Sequence, residues 1–287
     1  MSSNQANPEV SSGPLAKLRG FAVRTGVGAA LILLLGLSAW LWLWGVVLIV
    51  AAFLALGAHE LGQAAGRHGW HPAWAVVAFG GVALLIVEYG GWCGDVLVVG
   101  MVGCAAMWLV GLAWRLRGPV GGFLGDVAVT GLLIVYLPLL MTFVVAMLTT
   151  AHPVAQAATY MGIIIIGDSG AYIMGSLLGR HKMAPHISPA KTWEGVAGCL
   201  VWAGIAGALL AQFVLHVPYW QGIVLGVVLG AGAVVGDLAE SAIKRDVGVK
   251  DMGKLLPGHG GAMDRLDSMV FCAPIAWALM NLWMHVG

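Results

Sequence analysis

The sequence carries very little charge for its length. Asp, Glu, Lys and Arg make up 9% of the 287 residues, whereas 60% are hydrophobic, and the mean hydropathy is +0.91. Soluble globular domains carry about 25% charged residues, so that class is excluded. Apolar runs of about 18 residues or more cross the core of a bilayer, and this sequence has many of them. It therefore predicts an all-α polytopic membrane protein.

Several motifs are also absent. The chain has four cysteines but no Cys-x-x-Cys pair, which indicates packing residues rather than a disulfide or metal role for Cys93, Cys104, Cys199 and Cys272. It lacks the GxxxxGK[ST] pattern of a Walker-type P-loop. One further group matches no metal-site spacing and is interpreted as lying at the membrane border: His59, Glu60, His68 and His71.

The apolar segments predict about nine membrane spans. They fall near 26–39, 41–58, 73–90, 94–113, 124–148, 157–179, 195–216, 220–243 and 267–285. An unbroken helix over the uncharged residues 26–58 would be about 50 Å long, so two helices with a turn near Ser38–Trp40 fit better. With nine spans and a cytoplasmic N-terminus, all 14 Lys and Arg residues lie on the inner side. The positive-inside rule then favours an outside C-terminus.

Three regions follow from this pattern. Residues 1–25 are polar and then basic, and they predict a disordered cytoplasmic tail, because the apolar stretch after them is too long for a cleaved signal peptide. Residues 26–156 predict N-terminal transmembrane helices. Residues 157–287 predict C-terminal transmembrane helices with cytoplasmic loops, and these carry the polar clusters. Glycines at every fourth position favour close helix packing and permit a homodimer: Gly222, Gly226 and Gly230.

The first polar cluster lies at the inner end of the eighth span. Asp237, Glu240, Ser241 and Lys244 are spaced i, i+3, i+4 and i+7, so they share one helix face. A Glu240–Lys244 salt bridge at the membrane border is one interpretation. It leaves Asp237 unexplained, about 10 Å deeper than Lys244 by helical rise. Acids within lipid are costly, so Asp237 needs a partner or a function.

The second cluster, PGHGGAMDRLD, opens the ninth span with Asp264 and Asp267. Two acids at a helix N-terminus complement the helix dipole. They also adjoin basic residues, and in such a mixed cluster acids suit Mg²⁺ and bases suit phosphate. The neighbouring glycines allow backbone amides to approach an anion. The basic residues of this cluster are Lys250, Lys254, His259 and Arg265.

A third polar segment begins within the sixth span. Asp168 falls near its middle, where an acid is either functional or hydrogen-bonded to another helix. A basic loop follows it, including Lys191. Ser188 and Pro189 are interpreted as the N-cap and first residue of the next helix.

The residues from Ser241 to Asp267 resemble the signature of the phosphatidate cytidylyltransferase family, S-x-[apolar]-K-R-x4-K-D-x-G-x2-[apolar]-P-x-H-G-G-[apolar]-x-D-R-x-D. Ala262 departs from it, since the family usually has a larger aliphatic residue there. GDSGAYIMGSLLGRHK and SPAKTWEG also resemble family segments, so the resemblance covers roughly 160–272. The matching positions are Ser241, Lys244, Arg245, Lys250, Asp251, Gly253, Pro257, His259, Gly260, Gly261, Asp264, Arg265 and Asp267.

The resemblance implies transfer of CMP from CTP to phosphatidic acid of the inner leaflet, giving CDP-diacylglycerol and pyrophosphate, with Mg²⁺, in phospholipid biosynthesis. It implies a bacterial inner-membrane enzyme whose active site faces the cytoplasm, without a nucleic-acid partner. A nucleotide-dependent lipid kinase of the polyprenol or phytol type is an alternative. A secondary transporter is another, although the two halves show no repeat and the charge lies at one face.

With this activity, a set of polar residues and two glycines have expected roles. The expected metal ligands are Asp237, Asp264 and Asp267. The expected catalytic residues are Asp237, Lys244, Arg245, Lys250, Asp264 and Arg265. The expected substrate contacts are Asp168, Ser188, Lys191, Ser241, His259, Gly260 and Gly261.

Overall fold

The computed structural model describes residues 33–249, 251–253 and 261–285. The predicted tail, 1–25, lies outside these ranges. Residues 33–41 are helical, and eight further helices follow. They are α1 (Leu43–Arg67), α2 (Trp74–Gly90), α3 (Val96–Arg115), α4 (Phe123–Leu148), α5 (Pro153–Leu178), α6 (Trp193–Leu215), α7 (Tyr219–Asp246) and α8 (Met263–Trp283).

Within the described ranges, seven of these eight helices are long and apolar enough to cross a bilayer. The exception is α2, which is apolar but shorter. The predicted all-α polytopic membrane class is thereby confirmed. The break that was predicted within 26–58 lies at Trp42, a single extended residue with φ −167° and ψ 103° between residues 33–41 and α1. This is just beyond the predicted turn near Ser38–Trp40.

A short antiparallel hairpin joins α5 to α6. Its strands are β1 (Lys182–Ala184) and β2 (Ser188–Thr192). The prediction that Ser188 caps the next helix is therefore wrong, because the chain stays extended for four more residues. Thr192 is the cap: its backbone is extended and its side chain accepts a hydrogen bond from Gly195 N–H.

Helix α1 ends later than predicted. Its span was expected to stop near residue 58, but the helix continues to Arg67 and takes in His59 and Glu60. A side chain at Gly62 would collide with Trp74, so this glycine lets α2 cross close to α1. The last turns of α1 are therefore held by tertiary packing that hydropathy does not reveal.

Arg115 and Asp126 tie together the loops at one end of the bundle. Nε of Arg115 lies 2.5 Å from Oδ2 of Asp126, and both side chains are buried. The other guanidinium nitrogens of Arg115 donate to the carbonyls of Pro119 and Gly121. Asp126 Oδ1 accepts a hydrogen bond from His71 N–H at 2.6 Å. This pair therefore joins the α1–α2 and α3–α4 connections.

The Lys and Arg residues of the described ranges lie at the ends of α1, α3 and α7, at the start of α8, in the α3–α4 loop, and between α5 and α6. The Arg115–Asp126 pair joins α3 to α4 at this side, and Glu60, near the end of α1, accepts a hydrogen bond from the first residue of α8. The basic residues thus lie at the helix ends that these contacts gather together.

The interior has two hydrophobic cores. One is built mainly from α1–α4, and it includes Met263, Leu266 and Val270 of α8. The other is built mainly from α5–α8 and includes Ala273 and Met280. Helix α8 therefore belongs to both cores, with its N-terminal half packed in the first and its C-terminal half in the second.

Helices α6 and α7 approach each other more closely than side chains would allow. A Cβ atom at Gly222 or Gly226 would collide with the backbone of α6 at Gly207 and Ala203. The interpretation of these glycines as helix-packing positions is confirmed.

The cysteines are all free. Cys104, Cys199 and Cys272 are buried, as expected for packing residues. The packing interpretation is wrong for Cys93, which is exposed in the turn between α2 and α3.

Candidate active site

Three carboxylates from two helices meet at one point. Asp237 and Glu240 belong to α7 and Asp267 belongs to α8, and one ligand oxygen of each lies within 4.8 Å of the others. Glu240 is fully buried. A Cβ atom at Gly236 would lie 2.8 Å from the carbonyl oxygen of Asp267, so this glycine permits the close crossing that brings the carboxylates together. We call Asp237, Glu240 and Asp267 the carboxylate group.

Lys244 joins the carboxylate group to the start of α8. Its ammonium group forms an ion pair with Glu240, one turn earlier on α7, and lies 2.9 Å from Oδ1 of Asp264. The other carboxylate oxygen of Asp264, Oδ2, accepts a hydrogen bond from Gly261 N–H at 2.7 Å. The salt bridge that the sequence suggested for Glu240 is therefore present, and Asp264 forms a second ion pair with the same lysine. Asp264 pairs with the lysine and is not one of the three converging carboxylates.

The hairpin between α5 and α6 supplies a second cation. Nζ of Lys191 lies 2.8 Å from Oδ2 of Asp237, and Ser241 donates a hydrogen bond to Oδ1 of Asp237 at 3.4 Å. Arg245 is exposed and donates to the carbonyl of Ile187 at 3.2 Å, which ties the hairpin to α7. Ser188 lies at the start of the same strand as Lys191.

A cavity of about 390 Å³ opens beside the start of α8. Its polar wall contains Asp168, Asp264, Arg265 and Asp267. Asp168 is part of α5, so the structure brings the third polar segment of the sequence to the same place as the second. The rest of the wall is mainly apolar and comes from residues 33–41 and from α1, α4, α5 and α8, with members such as Leu35, Val46, Val50, Phe53, Met141 and Tyr160.

Three of the predicted site residues, Lys250, His259 and Gly260, lie outside the described residues. The others gather around α7, α8, α5 and the hairpin. Sequence reasoning assigned Glu240 only to a salt bridge, although its i+3 spacing from Asp237 already placed it on the same face. It also missed Glu60, whose buried carboxylate accepts a hydrogen bond from Met263 N–H at 3.0 Å.

The arrangement has the chemical character of a site for a metal and phosphates. Ion pairs join Asp237 to Lys191, and Glu240 and Asp264 to Lys244, while Asp267 lies beside Asp237 and Glu240. Three carboxylates whose ligand oxygens lie within 4.8 Å of one another repel, and Glu240 is fully buried, so a bound cation would stabilise the group. Oxygen-only ligands suit a hard divalent ion such as Mg²⁺, while the lysines and Arg265 are the types that neutralise phosphate.

The chain is similar to known cytidylyltransferases. The family model described as "Cytidylyltransferase family" matches residues 22–283. A phosphatidate cytidylyltransferase of Mycobacterium bovis is 34% identical over 91% of this chain and 88% of its own length. One from Mycobacterium tuberculosis is 34% identical over 91% of this chain and 82% of its own. One from Synechocystis is 46% identical over 42% of this chain and 41% of its own.

Proposed function

The chain belongs to the cytidylyltransferase family, and we propose that it transfers the cytidylyl group of CTP to phosphatidic acid, giving CDP-diacylglycerol and pyrophosphate. It is an enzyme and an integral membrane protein. The observation that carries the substrate assignment is the convergence of the carboxylate group with Lys191 and Lys244 at the helix ends that hold the basic residues. At these helix ends, the phosphate of a membrane lipid and a soluble nucleotide would both reach the site.

The proposed cofactor is Mg²⁺, held by Asp237, Glu240 and Asp267. The donor set supports this choice, since all three ligands are carboxylate oxygens on two helices that Gly236 allows to cross closely. When bound, the ion would polarise the phosphates of CTP and neutralise negative charge. Asp264 stays a predicted ligand in the sequence-based assignment, although its contacts favour a role in holding Lys244.

The reaction needs no covalent nucleophile from the protein. An oxygen of the lipid phosphate attacks the α-phosphorus of CTP, and the bond from that phosphorus to the bridging oxygen of the β-phosphate breaks. The electron pair of that bond leaves with pyrophosphate. Both reactants are anions, so positioning and neutralisation of charge supply most of the catalysis.

The position of each basic residue indicates which phosphate it would bind. Lys191 enters from the hairpin and Lys244 from α7, so they approach the carboxylate group from two sides and would hold phosphate oxygens there. Arg265 lies on the polar wall of the cavity, where it would bind the lipid phosphate. Lys250, His259 and Gly260 keep their predicted roles toward the nucleotide phosphates.

The cavity supports a lipid substrate that enters from the side. Apolar residues such as Val46, Val50 and Phe53 would contact acyl chains, while the headgroup reaches Asp168, Arg265 and Asp267. With the positive-inside rule, the basic helix ends face the cytoplasm of a bacterial inner membrane, with nine spans, an inner N-terminus and an outer C-terminus. The homodimer stays a prediction, and its test is mass measurement of the detergent-solubilised chain.

Two labelled forms of CTP test the proposed function. The purified chain is incubated with phosphatidic acid, Mg²⁺ and CTP that carries ³²P at either the α- or the γ-phosphate. Cytidylyl transfer places the α-label in lipid and the γ-label in pyrophosphate. In a parallel incubation with a polyprenol in place of phosphatidic acid, a lipid kinase would place the γ-label in lipid, and that result would contradict the proposal.

A further inference from the structure

Glu60 is a buried carboxylate that the proposed chemistry does not use. It belongs to α1, in the first half of the chain, and the residue is 8% exposed. Oε2 accepts a hydrogen bond from the backbone N–H of Met263 at 3.0 Å, across 203 residues of sequence. Met263 is the first residue of α8, so Glu60 contacts the helix that carries Asp264, Arg265 and Asp267.

The first turn of α8 has no cap at its own N-cap position. Ala262 occupies that position and offers no side-chain oxygen. The first N–H groups of a helix have no partner within it, and they carry the positive end of the helix dipole. Glu60 supplies a carboxylate to one of these groups, and Asp264 accepts from the nearby Gly261 N–H. A distant acid thus takes the place of a local cap.

Two backbone segments pack directly against the Glu60 carboxylate. A Cβ atom at Gly253 or Gly261 would overlap with the carboxylate, so neither position has space for a side chain. One turn earlier on α1, a Cβ atom at Gly57 would make ordinary contacts with Met263 and Leu266 at 3.5–3.6 Å. Three segments therefore meet closely at Glu60: α1, the segment after α7 that contains Gly253, and the start of α8.

We propose that Glu60 is a positioning residue for the cytidylyl-transfer reaction, because it fixes the first turn of α8 and thereby the placement of Asp264, Arg265 and Asp267. Glu60 does not touch the substrates in this account. It acts by accepting the Met263 N–H and by filling the space against Gly253 and Gly261. The inference rests on the proposed function, since those three residues of α8 are the ones that hold phosphate and metal there.

Three substitutions separate this role from others. Glu60→Gln keeps the length of the side chain and an oxygen that can accept from Met263 N–H. Glu60→Asp keeps the charge but is one methylene too short to reach. Glu60→Ala removes the acceptor and leaves a space. The activity of the purified full chain is measured at saturating CTP and phosphatidic acid, well below the melting temperature of each variant.

We expect the order of kcat to be wild type, then Gln, then Asp, then Ala. Glu60→Gln should stay within about fivefold of wild type, while Glu60→Asp and Glu60→Ala should lose at least about tenfold, since misplacement near a reaction centre costs about 10²-fold in rate. A role of the negative charge itself would reverse the order of Gln and Asp and would overturn the proposal.

Glu88→Gln is the matched control. Glu88 is another buried glutamate of the membrane helices, and it accepts a hydrogen bond from Thr142 Oγ1 at 2.7 Å, in a contact of α2 with α4. Glu88→Gln should change the melting temperature but leave kcat within about twofold of wild type.

The inference would be overturned if Glu60→Ala kept kcat within about threefold of wild type, or lost no more activity than Glu88→Gln. Where Glu60→Ala does not insert, the Gln and Asp variants decide by their order. Inactive wild-type enzyme would contradict the proposed function instead.

Discussion

Lys191 of the β-hairpin forms an ion pair with Asp237 of α7, with 2.8 Å between Nζ and Oδ2. This contact brings the SPAKTWEG segment to the carboxylate group, whose members follow it in sequence on α7 and α8. Arg245 holds the hairpin from the same helix through the carbonyl of Ile187. The hairpin is therefore part of the site and not only a connection between two spans.

Replacing Lys191 tests this relationship. Lys191→Ala removes a cation beside the carboxylate group and should lower kcat/KM at least about 10²-fold, because charge neutralisation supplies much of the catalysis of phosphoryl-type transfer. Steady-state kinetics of the purified chain measures the loss. Lys182→Ala is the control, since Lys182 lies on the other strand of the hairpin and is exposed. Equal kinetics for the two variants would show that Lys191 is only a basic residue of the inner loop.

Lys244 should matter for stability as well as for activity. Lys244→Met leaves the fully buried Glu240 without its cation. Breaking one side of a buried ion pair costs about 3–5 kcal/mol, so the melting temperature in EDTA should fall markedly. The double variant Lys244→Met with Glu240→Gln should recover part of that loss, because the fully buried side chain is then neutral and Asp264 keeps its hydrogen bond from Gly261 N–H. A double variant less stable than Lys244→Met alone would contradict this account.

The Arg115–Asp126 pair should affect stability without a specific effect on chemistry. Arg115→Met leaves Asp126 buried without its cation and removes the hydrogen bonds to Pro119 and Gly121. We expect a loss of about 3–5 kcal/mol in the free energy of unfolding. Activity per folded molecule, assayed well below the melting temperature, should stay within about threefold. A normal melting temperature would mean that the pair contributes little.

Metal removal should abolish turnover. Excess EDTA is expected to lower the rate at least about 10²-fold, and added Mg²⁺ should restore it, because oxygen-only ligands beside phosphates suit that ion. The control is EDTA that has been saturated with Mg²⁺ beforehand. Full activity of a chain exhaustively treated with chelator would remove the metal from the proposed mechanism.

Hydropathy and spacing predicted much of this fold. The apolar runs located the helices, and the i, i+4 spacing of Asp237 and Ser241 on α7 placed their side chains in contact. The positions of the basic residues predict the orientation in the membrane, and this orientation stays a prediction. These features are local, so they can be read from short windows of sequence.

Contacts between distant segments could not be predicted in this way. Whether Asp264 or Asp267 joins Asp237 depends on the register of α8 against α7, which is set by the close crossing at Gly236. Glu60 reaches Met263 across 203 residues, and the expected end of its helix near residue 58 concealed its burial. The match of the family to residues 22–283 includes this first half, where the sequence alone offered only hydropathy.

The carboxylate group itself is tested by a cycle of neutral substitutions. Asp237→Asn and Asp267→Asn keep the size of each side chain and remove its charge. If both acids hold the same ion, each variant should lower kcat/KM at least about 10²-fold, and the double variant should be at most about threefold worse than the poorer single one, since residues that act as a unit are non-additive. Independent roles would instead multiply the losses to about 10⁴-fold.

The same cycle decides the role of Asp264. Its contacts are with Lys244 and Gly261 N–H, so Asp264→Asn should retain the backbone hydrogen bond and weaken the hold on the lysine. Combined with Asp237→Asn, its loss is expected to multiply, and alone it should leave the Mg²⁺ concentration for half-maximal rate within about threefold of wild type. Asp237→Asn, in contrast, should raise that concentration at least tenfold. Should Asp264→Asn raise it equally and combine with Asp237→Asn without further loss, Asp264 would be a metal ligand, as the sequence predicts.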